Sequence, residues 1–288
     1  MRLATIETWA GPRAALQVGD SFVDIHAVEP DLPGNVHQLL DAGPEYLDAV
    51  AELAHRPKLA KTPAGQVKFH APIVDPRKII CVGLNYKDHA AESGAPIPKE
   101  PILFSKYATA LIGHGETIVL PKVSQEVDYE AELVIVVGKK GRHLTLENAV
   151  DHVAGYSVGH DVSARDWQLR KDGKQWMIGK TFDTFAPVGP VLVTKDEVKD
   201  PRDLPIRLRL NNQVMQNSST KQMIFGAAEL LVYLSNVFTL EPGDLIFTGT
   251  PPGVGMARKP PVYLKDGDVV EVEIEGLGLL RNPVRQEK

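Results

Sequence analysis

A chain of 288 residues, 43% apolar and 24% charged, is long enough for one large core, or for a small domain ahead of a larger one. The net charge of −5 and the lack of any Lys/Arg cluster exclude a nucleic-acid footprint, but leave room for an anionic small molecule at a locally basic or metal-bearing site. Cys81 is the only cysteine, which excludes an intramolecular disulfide and a cysteine-based zinc site and fits a reducing compartment.

The opening residues Met1 to Ile6 lack the apolar core of a signal peptide, and no apolar run reaches bilayer length. A cytoplasmic protein without membrane association is therefore expected. A mitochondrial location would need a transit peptide that these residues do not display.

Arg2–Thr8, Ala14–Val18 and Phe22–Ile25 read as short strands punctuated by Gly-Pro and Gly-Asp turns. Residues Val36 to about Leu53 repeat Leu39, Leu40, Leu47 and Val50 near helical spacing, and the Lys-, Pro- and Ala-rich stretch Arg56–Gly65 reads as a connection. A boundary near residue 70 is expected, with a small domain at 1–70 and a larger one at 71–288.

Beyond it, strands are predicted at Lys78–Gly83, Glu116–Leu120, Glu132–Gly138, Val153–Val158, Pro190–Thr194, Ile206–Leu210, Asp244–Thr248 and Val269–Ile274. Helices are fewer: Asp88–Ser93, Thr145–His152, Ser163–Asp172 and Ala227–Val237. Strands that outnumber helices without βαβ alternation predict a mixed α+β, mainly β fold, and argue against Rossmann and TIM arrangements.

The richest segment is Val127-Asp128-Tyr129-Glu130-Ala131-Glu132, followed by an apolar run. Residues two apart on a strand share a face, so Glu130 and Glu132 converge, as would Asp128 if the strand starts that early. Alone, a Glu-x-Glu pair reads more readily as a solvent-facing strand end, since charge alternation on half-exposed strands is common. Two like charges entering a core demand a cation or a proton, and oxygen-only ligands suit Mg²⁺, Mn²⁺ or Ca²⁺. Asp161 adds a third carboxylate, in a strand-to-helix turn where Ser163 and Asp166 have capping-box spacing. The amides of that helix N-terminus suit an anion, and Arg165 and Gln168 share a helical face beside it. His160 is the other possible ligand there, but strand alternation turns it away from Asp161.

His89 and Glu92, three apart on one helical turn, match the carboxylate–imidazole pair of a water-activating base, although an ordinary surface pair has the same spacing. The Gly94-Ala95-Pro96-Ile97-Pro98 stretch after them reads as a mobile loop. Gly179-Lys180-Thr181 fails as a phosphate loop, because the earlier glycine is one position out of place and no strand precedes it. Lys180 fits better as a cation that stabilises developing enolate charge. The loop Thr248-Gly249-Thr250-Pro251-Pro252-Gly253-Val254-Gly255 offers amides and the Thr250 hydroxyl to a carboxylate, a reading no stronger than that of a plain structural turn.

Together these motifs resemble the fumarylacetoacetate hydrolase family, most closely the subgroup of fumarylacetoacetate hydrolase domain-containing protein 2. The resemblance rests on Val82-Gly83-Leu84-Asn85-Tyr86 with His89 and Glu92, on Gln125 to Glu132, on His160 to Gln168, on Gly179 to Thr184 and on Phe247 to Gly255. It runs in order from about residue 70 to the C-terminus. It implies a β-roll core, a homodimer, and Mg²⁺ or Mn²⁺ held by Glu130, Glu132 and Asp161, with Ca²⁺ able to take the same ligands. It also implies Lys180 beside the metal, His89 and Glu92 as a catalytic dyad, and Arg165, Gln168 and Thr250 on the substrate's oxygens.

Such a site would act on small 2-oxo acids through a stabilised enolate. The main expectation is carbon–carbon hydrolysis of a 2,4-dioxo acid, and the alternative is enol–keto tautomerisation or decarboxylation of oxaloacetate. A non-catalytic binding protein that keeps the fold is the reading from another class, and the complete set of dyad, lysine and ligands argues against it.

Overall fold

Long uninterrupted apolar runs dictate a sheet that is covered on both faces. In the computed structural model, which describes residues 1–288, Ala131–Val137 is buried at every position and Val153–His160 at all but Ala154. The apolar side chains Leu133 to Val137 each contribute roughly 1.5–3 kcal/mol by leaving water, which offsets the cost of seating the Glu132 carboxylate on the same strand.

These two strands pair antiparallel at the middle of a 12-stranded sheet. On one side Leu245–Phe247 joins Ala131–Val137, followed by Ile79–Gly83 in parallel and Ile102–Lys106 at the edge. On the other side lies Ala186–Thr194, and Arg2–Thr8 pairs with it through Leu3 and Leu192. Gly11–Val18 and Ser21–Asp24 then extend the same sheet, so the N-terminal strands continue the central one.

A five-stranded sheet packs against this layer, in the order Gln213–Ser219, Pro205–Leu210, Val269–Ile274, Gly278–Gln286 and Ile118–Leu120. Val269–Ile274 alternates half-buried and buried residues, as a strand with one covered face should. One hydrophobic cluster runs from Leu3 and Val36 to Val284. The fold is mixed α+β and mostly strands, as predicted.

Three predicted helices differ in the structure. The Val36–Leu53 stretch is two helices, Val36–Ala42 and Pro44–Leu53. Gly43 at φ 111° turns the chain between them, and Pro44 starts the second helix, where its missing N–H costs nothing. Asn35 caps the first by accepting from His37 N at 2.7 Å. Thr145–His152 contains only a 3₁₀ turn, Ala149–His152. The Ser163–Asp172 stretch is a strand pair, Ser163–Ala164 with Val127–Asp128, before a short helix Arg165–Leu169. No capping box forms there: Ser163 Oγ donates to Asp161 O at 2.9 Å, and the Asp166 carboxylate accepts from Ser124 Oγ at 2.7 Å.

Candidate active site

Glu130 and Glu132 flank Ala131, the first residue of the central strand. Asp161 arrives from the neighbouring strand, where His160 pairs with Ala131 and Asp161 N donates to Glu130 O at 3.0 Å. The three side chains bring ligand oxygens within 4.8 Å of one another. Glu130 is 6% exposed, Glu132 1% and Asp161 0%, so the trio lies in the protein interior. His160 is buried beside it but contributes no ligand atom to the cluster. Burial, reinforced by the positive charge of Lys106, lowers its imidazole to about 3 and keeps it neutral.

The three carboxylates are compensated unequally. Burial pushes the Glu130 carboxyl up, but Lys180 Nζ at 2.6 Å from Oε2 and Arg165 Nη2 at 2.6 Å from Oε1 outweigh it and hold it at about 2. Lys180 Nζ also donates to Asp161 Oδ2 at 2.9 Å. Burial would discharge that ammonium, yet Asp161 and Glu130 together raise its pKa. Glu132 accepts only the Gly249 N–H, at 2.7 Å. Burial first, then the charges of Asp161 and Glu130, push the Glu132 carboxyl well above the usual range. An all-oxygen trio with one carboxyl lacking a cation in contact fits a hard divalent ion.

Arg165 connects the trio to the rest of the site. Its Nε donates to Asp128 Oδ2 at 2.8 Å and its Nη1 to Gln168 Oε1 at 2.9 Å. Asp128 therefore does not join Glu130 and Glu132 as a third strand ligand. Its carboxylate instead accepts from Gly255 N at 2.7 Å and Met256 N at 3.0 Å, and so anchors the end of the glycine-rich loop. A Cβ on Gly255 would collide with the backbone carbonyl oxygen of Val262 and come 2.5 Å from Asp128 Oδ1, which explains the glycine.

His89 Nδ1 lies 2.9 Å from Glu92 Oε2 on the helix Lys87–Ser93. A carboxylate only accepts, so the Nδ1–H is committed to Glu92, and in the neutral imidazole the lone pair lies on Nε2. Glu92 Oε1 also accepts from Gly253 N at 2.9 Å, and Asp88 Oδ2 accepts from Ser218 Oγ at 2.6 Å. The helix is thus tied to the glycine-rich loop and to the second sheet.

His89, Arg165, Gln168, Lys180 and Thr250 line one cavity of about 250 Å³ with the three carboxylates. Leu84, Phe104, Leu169 and Trp176 form its apolar wall. Eight of the nine candidate residues therefore line one cavity, and Glu92 joins them through His89.

Two residues escaped the sequence reading. Lys106 Nζ sits 2.6 Å from Asp161 Oδ1 and donates to Phe185 O at 2.7 Å, to Val162 O at 3.1 Å and to Lys180 O. Gln216 bridges the strand and the loop from beneath. Both lie on strands that the pattern missed, Ile102–Lys106 and Gln213–Ser219.

A mainly β fold with a buried oxygen trio and a lysine against it suits metal-assisted chemistry, and the family match and named relatives make this an enzyme of hydrolase, tautomerase or lyase type. The family model described as fumarylacetoacetate (FAA) hydrolase C-terminal matches residues 78–285, and the chain belongs to the fumarylacetoacetate hydrolase family. It is 51% identical over 277 residues to a Bos taurus protein named oxaloacetate tautomerase FAHD2A, mitochondrial, covering 96% of this chain and 88% of that one. It is 48% identical over 280 residues to the Dictyostelium discoideum homolog of fumarylacetoacetate hydrolase domain-containing protein 2, covering 92% and 90%. Among solved structures, maleylpyruvate hydrolase from Sphingobium sp. SYK-6 in complex with manganese(II) and pyruvate matches with a TM-score of 0.83 and 33% identity, over all of both chains. That manganese complex and the acidic trio here together support divalent-metal binding.

The expectation of a cytoplasmic protein is corrected by these relatives, since the bovine, human and Xenopus laevis proteins are named mitochondrial. A lone cysteine fits a reducing compartment, and no helix is long and apolar enough to cross a membrane. The mitochondrial matrix meets those conditions as well as the cytoplasm does, so composition could not separate the two.

Proposed function

We propose that this chain is a divalent-metal-dependent enol–keto tautomerase of oxaloacetate. The observation that carries the reading is the Lys180 ammonium, held charged between Glu130 and Asp161 at the floor of the cavity. The names of the relatives at about half identity support the substrate, and favour tautomerisation over the hydrolysis first expected from the motifs.

Glu130, Glu132 and Asp161 would hold Mg²⁺ or Mn²⁺, which when bound supplies Lewis-acid polarisation to the 2-oxo and carboxylate oxygens of the substrate. Lys180 places positive charge where the enolate oxygen develops, which lowers the barrier to losing the enol proton. Arg165, Gln168 and Thr250 supply donors for carboxylate oxygens. The enol O–H proton is lost, C3 gains a proton from water and the C2 carbonyl forms, so the reaction is an isomerisation with no net proton change. The apolar wall of Leu84, Phe104 and Trp176 restricts water, which strengthens each of these charges.

Decay of the enol form, followed by its ultraviolet absorbance with Mn²⁺ or with EDTA, tests this reading. Acceleration that needs the metal is expected, and metal-independent acceleration or none would sink it.

The second reading, hydrolysis of an acylpyruvate, is favoured by the His89–Glu92 pair, whose free Nε2 could take a proton from water. In the variant His89→Ala, acetylpyruvate hydrolysis should fall by about 10²-fold or more while enol loss is spared. If both activities fall together, the dyad serves the tautomerisation too. Residues 1–70 as an N-terminal unit whose strands extend the central sheet, and a homodimeric assembly, are further proposals, supported by the start of the family match at residue 78 and by the family resemblance respectively.

A further inference from the structure

Gln216 is 1% exposed, sits on a strand of the second sheet and uses all of its amide. Its Oε1 accepts from Ala131 N at 2.8 Å, the peptide between Glu130 and Glu132. Its Nε2 donates to Thr250 Oγ1 at 2.9 Å and to Pro251 O at 2.7 Å. Both ends fix the orientation of the amide, because Ala131 N can only donate and Pro251 O can only accept.

Thr250 Oγ1 must then act as an acceptor toward Gln216. Its own hydrogen has no protein acceptor, and the residue lines the cavity that holds the carboxylate trio. The polarity of the Thr250 hydroxyl is therefore set from behind the site.

We propose that Gln216 is a positioning residue that presets Thr250 as a hydrogen-bond donor, so that this corner of the cavity takes a ligand atom with lone pairs, a carboxylate or carbonyl oxygen. The inference rests on the reading of the cavity as a 2-oxo acid site. The same amide ties the Thr250 loop to the peptide between the two glutamates, so donor and ligand carboxylates keep a fixed spacing.

The variant Gln216→Glu tests the proposal, because it keeps an acceptor for Ala131 N but replaces the Nε2 donor with an oxygen. The new oxygen would carry a proton for Pro251 O, which can only accept, and the Thr250 hydroxyl would turn to donate to that oxygen and be lost to the ligand. Oxalate binding to the Mn²⁺-loaded protein, measured by calorimetry, is expected to weaken about tenfold. KM for oxaloacetate should rise to match with kcat little changed, and Mn²⁺ affinity should hold within about twofold. Thr250→Val should reproduce the loss, Thr250→Ser should retain wild-type binding, and adding Gln216→Glu to Thr250→Val should weaken binding no further.

Fully additive effects, or weaker Mn²⁺ binding with oxalate affinity unchanged, would overturn the proposal. Should Gln216→Glu not fold, Gln216→Met is read on the same cycle. Oxalate binding answers for Gln216 even if wild-type protein proves inactive on oxaloacetate, so failure of this inference is distinguishable from failure of the proposed function.

Discussion

Lys180 Nζ lies 2.6 Å from Glu130 Oε2, and this ion pair is 3% exposed on the lysine side and 8% on the glutamate side. In such a setting the ammonium acts on charge in the cavity with little screening. Lys180→Met, which keeps the length and removes the charge, should lower oxaloacetate tautomerisation by on the order of 10²-fold. Mn²⁺ binding should be no weaker, because a cation competing for Glu130 and Asp161 is gone. Wild-type turnover in that variant would remove Lys180 from the mechanism.

Glu132 is the carboxyl without a cation in contact, and its pKa is pushed up by burial and by Asp161 and Glu130. Glu132→Gln keeps an oxygen for Gly249 N while deleting the charge. Metal-free protein should therefore unfold no earlier than wild type, since a buried charge is costly to seat. The rise in Tm on adding MnCl₂, worth about 2.7 kcal/mol at a hundred times Kd, should disappear. A retained Mn²⁺ shift would show that Glu132 is not a ligand.

Gly179 precedes Lys180 where the helix Trp176–Lys180 crosses Arg165–Leu169, and a Cβ there would meet Gln168 N at 2.5 Å and Ala164 O at 2.7 Å. These are backbone atoms that cannot swing aside. Gly179→Ala should cost about 1–3 kcal/mol by overpacking and should displace Lys180 and Gln168 together. Urea denaturation gives the first effect, and oxalate affinity gives the second. A variant with unchanged midpoint and affinity would refute the close approach.

His114 supplies a pH dependence remote from the carboxylates. Its Nδ1 accepts from Arg281 N at 3.2 Å, and burial, with a smaller contribution from Arg281, lowers its pKa from 6.5. The folded state thus prefers neutral imidazole. The stability this adds is present above pH 6.5 and is lost as pH falls through the lowered folded value. His114→Gln, which retains an acceptor that does not titrate, should flatten the decline of Tm below pH 6.5. An identical decline in both proteins would assign it to other groups.

The sequence by itself determined the apolar strand that holds Glu132 and the convergence of Glu130 just ahead of it, because extended backbone puts residues two apart on one face. It also determined the His89–Glu92 pair, three residues apart on one helical turn, and the mainly β character. These are local properties, fixed by backbone geometry over a few residues.

The meeting of residues far apart in the chain was decided by tertiary structure. Lys106 reaches Asp161 from an edge strand, Ile-Leu-Phe-Ser-Lys, whose other residues are exposed or half-buried and carry no period to read. Gln216 reaches Ala131 and Thr250 from a polar strand whose apolar residues do not alternate, so pattern alone could not tell it from a loop. Asp128 is the sharpest case, since strand alternation turned it toward the glutamates while Arg165 and the Gly255 and Met256 amides drew its carboxylate away. A buried carboxylate goes to the donors that compensate it, and which donors are nearby is set only once the sheets close. Glu130 and Glu132 are thus a feature of the sequence, while the compensation around them, with cations on Glu130 and Asp161 and none touching Glu132, is a feature of the fold.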